Sequence, residues 1–253
     1  MDSLTGKRLL ALIRGGDYAH PGEGAAIERL LNDLEPAAER AVLDAGCGRG
    51  GTADHVRRLG MGIVTGIDRD EALIEEARRL YPLVRFRCGD ICAAAHVLGR
   101  GRFDLVYLMT VLYAIHDQAA ALRALRDAAR PDAELRFLEY SDPHGTFSGR
   151  RSPKDTGPAW LPLQPEAVPA LLDDAGWRCS GISDLSPQFE DWYSDLCARI
   201  AARERAIVAG FGRRWFDVVL TDYTAILDRI RRRDLGGVLV TARAKRPTAT
   251  GHA

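Results

Sequence analysis

The sequence predicts an α/β fold built on a doubly wound, mostly parallel sheet of seven strands. Short apolar runs alternate with amphipathic segments from residue 41 to residue 140, which is the pattern of βαβ units. A glycine-rich turn, VLDAGCGRGG (42–51), follows the first apolar run. Beyond residue 186, two long amphipathic segments precede the last apolar run. We therefore expect a helical cap that is inserted before the last strand.

Apolar periodicity and turn residues define the predicted elements in order. Strands are expected at 41–44, 63–68, 84–88, 103–109, 135–140, 177–185 and 238–242. Helices are expected at 4–16, 25–34, 52–59, 71–80, 118–129, 164–175, 187–209 and 212–233. Right-handed crossovers between the parallel strands place helices on both faces of the sheet.

The length of 253 residues suits one large α/β domain with insertions, or two small domains. We divide the chain into four parts: a lid over the binding site, a cofactor-binding core, the helical cap and a disordered tail. They span 1–36 for the lid, 37–186 and 235–246 for the core, 187–234 for the cap and 247–253 for the tail.

Charge and cysteine content exclude several classes of protein. The 35 basic and 35 acidic residues balance, which argues against a dedicated nucleic-acid binder. The five cysteines form no CxxC pair, so neither a disulfide framework nor a metal site is expected. No secretion signal and no apolar run of about 18 residues is found. We expect a cytoplasmic monomer or homodimer that binds no membrane.

The glycine-rich turn predicts a nucleotide-cofactor site. Gly46 and Gly48 allow a tight turn and close approach of a ligand, and the helix that follows offers free N–H groups. The same spacing, Gly46-x-Gly48-x-x-Gly51, also satisfies the dinucleotide fingerprint. The glycine-rich turn alone therefore does not exclude a nicotinamide cofactor.

Three carboxylates at the ends of successive strands indicate which kind of cofactor is bound. Asp44 stands two residues before the first glycine, where it would repel a pyrophosphate and suits a cationic amino-acid group. Asp68 ends the second strand, where a carboxylate can accept both ribose hydroxyl protons. Asp90 ends the third strand and can accept from an adenine amine. Each carboxylate could instead have only a structural role. Asp44 could cap the turn, Asp68 could be a helix N-cap, and Asp90 could cap a short helix.

Four motifs together resemble the class I S-adenosylmethionine-dependent methyltransferases: VLDAGCGRG, GID (66–68), CGDI (88–91) and FDLVYLMTVLYAI (103–115). The resemblance covers about residues 40–140 and implies S-adenosylmethionine as cofactor, with Asp68 on its ribose and Asp90 on its adenine. The resemblance also implies that Gly46 and Gly48 line the methionine portion of the cofactor and that Met109 flanks it. The residues assigned to the cofactor also include Asp44, Cys47, Arg69 and Ile91, with Cys47 as a small filler beside the glycines.

The N-terminal segment GGDYAHPGEGAAIERLL (15–31) and the late pair of predicted helices (187–209 and 212–233) also look like bacterial small-molecule methyltransferases, including those that act on amines. In such enzymes an N-terminal segment folds over the cofactor, and Tyr18 and His20 are the candidates for that contact. A helical cap would enclose a small acceptor and exclude water. Aromatic candidates for binding the acceptor, in part by cation–π contact with a cationic product, are Tyr140, Trp192, Tyr193 and Tyr223.

His116 and Tyr113 are the candidate catalytic residues, with His116 as a general base or, equally, as the cap of the next helix. No base is strongly marked in the sequence, which slightly favours N-methylation of a small molecule over O-methylation. The alternatives are a nicotinamide-dependent oxidoreductase and a non-catalytic S-adenosylmethionine-binding module.

Overall fold

The computed structural model describes residues 3–147 and 160–246. The tail predicted to be disordered (247–253) lies outside them, as does part of the loop between the fifth and sixth strands. The strands of the described chain are β1 (Ala41–Ala45), β2 (Ile63–Asp68), β3 (Arg85–Cys88), β4 (Phe103–Met109), β5 (Ala129–Ser141), β6 (Trp177–Asp184) and β7 (Gly236–Ala244). The α-helices are α1 (Leu4–Arg14), α2 (Glu23–Leu31), α3 (Gly51–Arg58), α4 (Glu71–Leu80), α5 (Ala94–Leu98), α6 (Gln118–Ala128), α7 (Val168–Asp174), α8 (Ser186–Ala202), α9 (Glu204–Phe211) and α10 (Arg213–Arg231).

These strands form one sheet in the order β3-β2-β1-β4-β5-β7-β6. The first five strands are parallel, and β7 runs antiparallel to both of its neighbours. The chain reverses its direction of winding between β1 and β4, so a crevice opens at their carboxyl ends. The predicted fold class is thereby confirmed.

Alternate side chains of the strands build a hydrophobic core on each face of the sheet. Val42 packs on the face covered by α1–α4 and α8–α10, whereas its neighbour Leu43 packs on the face covered by α5–α7. Both side chains are fully buried. This two-sided burial explains why the central strands are almost continuously apolar in sequence.

Two predicted elements differ from the structure. The predicted helix 187–209 is two helices, because Arg203 leaves helical geometry with φ −101° and ψ 13°. The break allows Ile207 of α9 to be fully buried. The fifth strand starts at Ala129 instead of residue 135, because Ala129 pairs with Phe103 of β4 ahead of an irregularity in the register. Pro131, which lies between the predicted helix and the predicted strand, is therefore part of β5.

The helices α8–α10 are inserted between the paired strands β6 and β7, as predicted for the cap. In the described residues, α8 packs against α1, β7 and α10. The N-terminal helix and the insertion thus meet on one face of the sheet. None of the described helices combines the length and the apolar character needed to cross a membrane.

Candidate active site

The glycine-rich loop is tied to the neighbouring strand. The backbone N–H groups of Gly46 and Cys47 donate to the Ile67 carbonyl at 2.8 and 3.0 Å. Gly46 has φ +88°, and a Cβ there would lie 2.6 Å from the Val111 side chain. Gly48 has φ +51°, and a Cβ there would point into open space. The loop therefore needs glycine at 46 for room and at 48 for conformation, and it leaves an open cradle.

Asp68 holds this loop in place. Its Oδ2 accepts from the Gly48 N–H at 2.9 Å, and its Oδ1 accepts from the Asp70 N–H at 3.1 Å. The N-cap of α4 is Asp70, whose carboxylate accepts from Ala72 and Leu73. Asp70, not Asp68, is therefore the N-cap of α4. Asp68 instead connects the glycine-rich loop to the cavity described below.

Asp44 is a buried carboxylate at the carboxyl end of β1. Burial raises its pKa to about 7; the Tyr107 hydroxyl beside it acts in the opposite direction, and the Asp68 charge adds to the rise. Its Oδ2 is buried without a hydrogen-bond partner among the described residues. An uncompensated buried carboxylate oxygen is costly, and a cationic group on a ligand would offset that cost.

A cavity of about 360 Å³ opens beside the loop. It brings together five of the residues predicted to bind the cofactor, and His116. Its described lining is Gly46, Asp68, Arg69, Asp90, Ile91, Cys92, Val111, Ala114, Ile115, His116 and Asp117. Asp90 also accepts from the Cys92 N–H at 2.8 Å and caps the 3₁₀ turn Ile91–Ala93. Asp90 thus caps a short helix, which was its alternative role, and it also lines the cavity.

Six other predicted cofactor residues, Gly48 of the loop among them, are not part of the described lining of this cavity. The Tyr18 hydroxyl is 3.0 Å from His55 Nδ1. His20 is buried, with Nε2 3.0 Å from the Thr52 hydroxyl, and burial lowers its pKa to about 3, so its ring is neutral. Cys47 is buried, which raises the pKa of its thiol and suits a filler role. Asp44 is buried below the loop, and Met109 is buried at the end of β4.

An ion-pair network fastens the N-terminal segment onto the loop. Arg49, in the glycine-rich turn, donates to Asp17 at 2.5 Å and to Glu76 of α4 at 2.7 Å. The Tyr81 hydroxyl also donates to Asp17, at 2.6 Å. A Cβ at Gly51 would lie 2.6 Å from the Asp17 carbonyl oxygen. The segment therefore lies directly on the loop, in the place expected for a lid; its function as one stays a prediction.

A second cavity, of about 410 Å³, adjoins the first, and we call it the acceptor cavity. Ala114 lines both. The described lining consists of Lys7, Leu10, Ala19, Thr110, Tyr113, Ala114, Tyr140, Phe147, Trp160, Tyr193, Asp222, Tyr223, Ala225, Ile226 and Arg229. Three of the four predicted acceptor-binding residues are present. The exception is Trp192, whose ring covers Gly22, where a Cβ would lie only 2.5 Å away.

The tyrosines of the acceptor cavity pack as a cluster. The Tyr140 and Tyr193 hydroxyls are hydrogen-bonded, and the Tyr113 ring meets the Tyr140 ring edge to face at 5.0 Å. Burial raises the pKa of Tyr140 and of Tyr193 well above the usual range for a phenol. Both hydroxyls are therefore neutral near pH 7 and exchange hydrogen bonds rather than act as bases.

The two predicted catalytic residues are placed differently. Tyr113 lines the acceptor cavity. His116 is exposed and lines the cofactor-side cavity together with a third cavity of about 330 Å³. Within the described residues it does not line the acceptor cavity. Tyr113 thus fits contact with an acceptor better than His116 does, and both roles stay predictions.

Glu139 is a functional candidate that the sequence analysis missed. It is fully buried in β5. Its Oε2 accepts from the N–H groups of Val111 and Leu112 at 2.8 and 2.6 Å, and its Oε1 accepts from Tyr140 at 2.9 Å. Burial raises its pKa to about 7, against the effect of these donors. Glu139 fixes the segment after β4, which lines both cavities.

The comparisons with known proteins agree with this geometry. A family model described as a methyltransferase domain matches residues 42–132. Over 191 residues the chain is 30% identical to a ubiquinone biosynthesis O-methyltransferase of Xanthomonas axonopodis pv. citri, covering 70% of this chain and 77% of the relative. The chain belongs to the class I S-adenosylmethionine-dependent methyltransferases. The cofactor of this family is S-adenosylmethionine.

Other methyltransferases are similar over different shares of their length. A tRNA U34 carboxymethyltransferase of Methylococcus capsulatus is 31% identical over 176 residues, which are 63% of this chain and 51% of the relative. The chain thus spans about half the length of that relative, and 56% of another curated methyltransferase. The phosphoethanolamine N-methyltransferase 2 of Haemonchus contortus superposes with a TM-score of 0.83 at 18% identity, over 96% of this chain and 58% of that one. At this identity the likeness concerns the fold.

The residues around the loop fit this cofactor. The unpartnered oxygen of Asp44 matches its cationic amino group, and the open space beside Gly48 leaves room for a ligand at the loop. Asp68 and Asp90, in the lining of one cavity, provide acceptors for hydroxyl and amine protons. A pyrophosphate in this cavity would lie among Asp68, Asp90 and Asp117, with Arg69 as the one arginine or lysine of the described lining, which disfavours the dinucleotide alternative.

Proposed function

We propose that this protein transfers a methyl group from S-adenosylmethionine to a small molecule bound in the acceptor cavity. The observation that carries the proposal is the adjacency of two cavities that share Ala114 and are separated by the segment that Glu139 fixes. Bound S-adenosylmethionine supplies an electrophilic methyl group on a sulfonium ion. The chain supplies proximity, alignment and exclusion of water.

The position of the acceptor cavity between helices supports a small-molecule acceptor over a macromolecule. Helices α1 and α10 both contribute to its wall, through Lys7 and Leu10 on one side and Tyr223 and Ile226 on the other. A cavity of this size, covered by helices from both ends of the chain, suits a compact molecule. We propose that the protein is cytoplasmic, that it binds neither a nucleic acid nor a membrane, and that it acts as a monomer or homodimer.

The chemistry of the lining supports N-methylation over O-methylation. The buried tyrosines are neutral near pH 7, and His116 lies outside the described acceptor lining. An amine that arrives deprotonated needs no base, whereas a phenol gains more from one. We propose that Tyr113 contacts the acceptor and that the tyrosine hydroxyls orient its nucleophilic atom.

The direct test is the formation of S-adenosylhomocysteine from S-adenosylmethionine in the presence of panels of small amines, phenols and carboxylic acids. We expect turnover with at least one panel, highest with amines, and loss of turnover in Asp68→Ala. Tight S-adenosylhomocysteine binding with no turnover in any panel would instead support the non-catalytic binding module.

A further inference from the structure

The acceptor cavity carries more positive than negative charge. Lys7 comes from α1 and Arg229 from α10, whereas Asp222 is the one carboxylate in the described lining. A fixed excess of cations around a cavity favours an anion inside it.

Arg229 differs in its contacts from Arg231 and Arg232, which form ion pairs. Arg231 pairs with Glu190 at 3.5 Å and Arg232 with Asp234 at 3.2 Å. The Arg229 guanidinium lies 5.3 Å over the Phe147 ring, and its side chain makes no hydrogen bond or ion pair with a described residue. Phe147 lines the cavity as well. The ring holds the guanidinium at the wall of the cavity, where its fork of N–H donors is available to a ligand.

The neighbouring groups reinforce this polarity. The hydroxyl groups of Tyr113, Tyr140, Tyr193 and Tyr223 line the same cavity, and a phenolic O–H can donate a hydrogen bond to an anion. Behind them the buried Arg14 is paired with Glu23 at 2.6 Å and interacts electrostatically with Tyr193 and Tyr223. The cavity therefore combines two cationic side chains with phenolic hydroxyl groups on a wall that includes six aromatic rings.

We propose that the methyl acceptor carries an anionic group, a carboxylate or a phosphate, that Arg229 and Lys7 bind in the acceptor cavity. The proposal rests on the proposed function, because it names the class of acceptor for that site. A planar guanidinium matches both anions by paired hydrogen bonds, and the lysine adds a point charge.

The test measures binding of anionic and neutral probes to the protein saturated with S-adenosylhomocysteine. Phenyl phosphate and benzoate are the anionic probes, and benzamide is the neutral one. By titration calorimetry we expect the better anion to bind at least about tenfold more tightly than benzamide. The tighter of the two anions identifies whether phosphate or carboxylate is preferred.

Matched variants locate the effect. Arg229→Gln and Lys7→Gln should each weaken binding of the preferred anion about tenfold and leave benzamide unchanged. Arg214→Gln, an exposed arginine of the same helix outside the described lining, is the control and should change neither. Asp222→Asn should tighten anion binding.

Equal binding of the three probes, no anion binding up to millimolar concentrations, or equal losses in Arg229→Gln and Arg214→Gln would overturn the proposal. S-adenosylhomocysteine binding is measured first and separately. Its absence would contradict the proposed function itself, so the two failures are distinguishable.

Discussion

The cofactor-side cavity and the acceptor cavity share Ala114 but are built in different ways. The first is lined by short segments that follow β1, β2, β3 and β4, where parallel strands end at one edge. The second combines α1, the segment after β4, the end of β5, and two helices inserted near the end of the chain. The first depends on local spacing in the sequence, and the second on tertiary packing.

The two cavities are also stabilised differently. Backbone hydrogen bonds fix the cofactor side, such as the Gly48 N–H to Asp68 and the Gly46 N–H to Ile67. Contacts between aromatic rings fix the acceptor side, as in the cluster of Tyr113, Tyr140 and Trp160. Substitutions on the first side should affect any reaction of the fold, whereas those on the second should change the acceptor.

Glu139 should give the largest effect, because it connects both cavities. Glu139→Ala leaves three buried N–H groups without their acceptor and should lower the free energy of unfolding by roughly 3 kcal/mol. It should also lower kcat/KM about a hundredfold. Glu139→Gln keeps the shape but places an NH₂ group against an N–H donor, so an intermediate loss is expected. Denaturant unfolding and steady-state kinetics measure both effects.

An Ala variant as stable as the wild type would show that Glu139 does not fix the segment after β4. Glu134→Gln, on the same strand but half-buried, is a suitable control. It should leave kcat/KM unchanged.

Asp44 should make cofactor binding depend on pH. Its pKa is raised to about 7 in the free protein, so it must lose a proton to pair with the cationic amino group. Binding of S-adenosylhomocysteine should therefore strengthen about tenfold from about pH 6 to about pH 8. In Asp44→Asn this pH dependence should be absent and the binding weaker. Because Glu139 still titrates in this variant, the difference between the two calorimetric profiles isolates Asp44.

The N-terminal segment should contribute a smaller amount. Asp17→Ala removes the acceptor for Arg49 and Tyr81 and should weaken S-adenosylhomocysteine binding by roughly 1 kcal/mol, or about fivefold. Hydrogen exchange in the segment that precedes α2 should become faster. Unchanged exchange would show that this network does not hold the segment on the loop. Asp33→Ala removes an ion pair with Arg136 beyond the C-terminal end of α2 and provides the control for cofactor binding.

The smallest effects are expected for Tyr193, which lines the acceptor cavity, and for its neighbour Trp192, which does not line it in the described structure. Tyr193→Phe removes the hydrogen bond to Tyr140 and should raise the acceptor KM about fivefold. Trp192→Phe should leave that KM unchanged, because its ring packs on Gly22 outside the described lining. Steady-state kinetics with the best acceptor decides the matter. A larger effect of Trp192→Phe would place Trp192 in the acceptor site after all.

The difference between the two regions also marks what the sequence can predict. Asp44, Asp68 and Asp90 were predictable because each ends a strand whose apolar run is visible in the sequence. Glu139 was detectable in principle, as an acidic residue in the apolar run LRFLEYS (135–141). The break at Arg203 has no glycine or proline to announce it. Lys7 and Arg229 lie more than 200 residues apart, and only packing of α1 near α10 brings them to one cavity.

The central claim is that the strand-end carboxylates and the glycine loop form an S-adenosylmethionine site. The most direct measurement is a calorimetric titration with S-adenosylhomocysteine, with NAD titrated in parallel and Asp68→Ala as the site variant. We expect micromolar binding of S-adenosylhomocysteine, its loss by roughly a hundredfold in Asp68→Ala, and no binding of NAD. Binding of NAD without binding of S-adenosylhomocysteine would contradict the account.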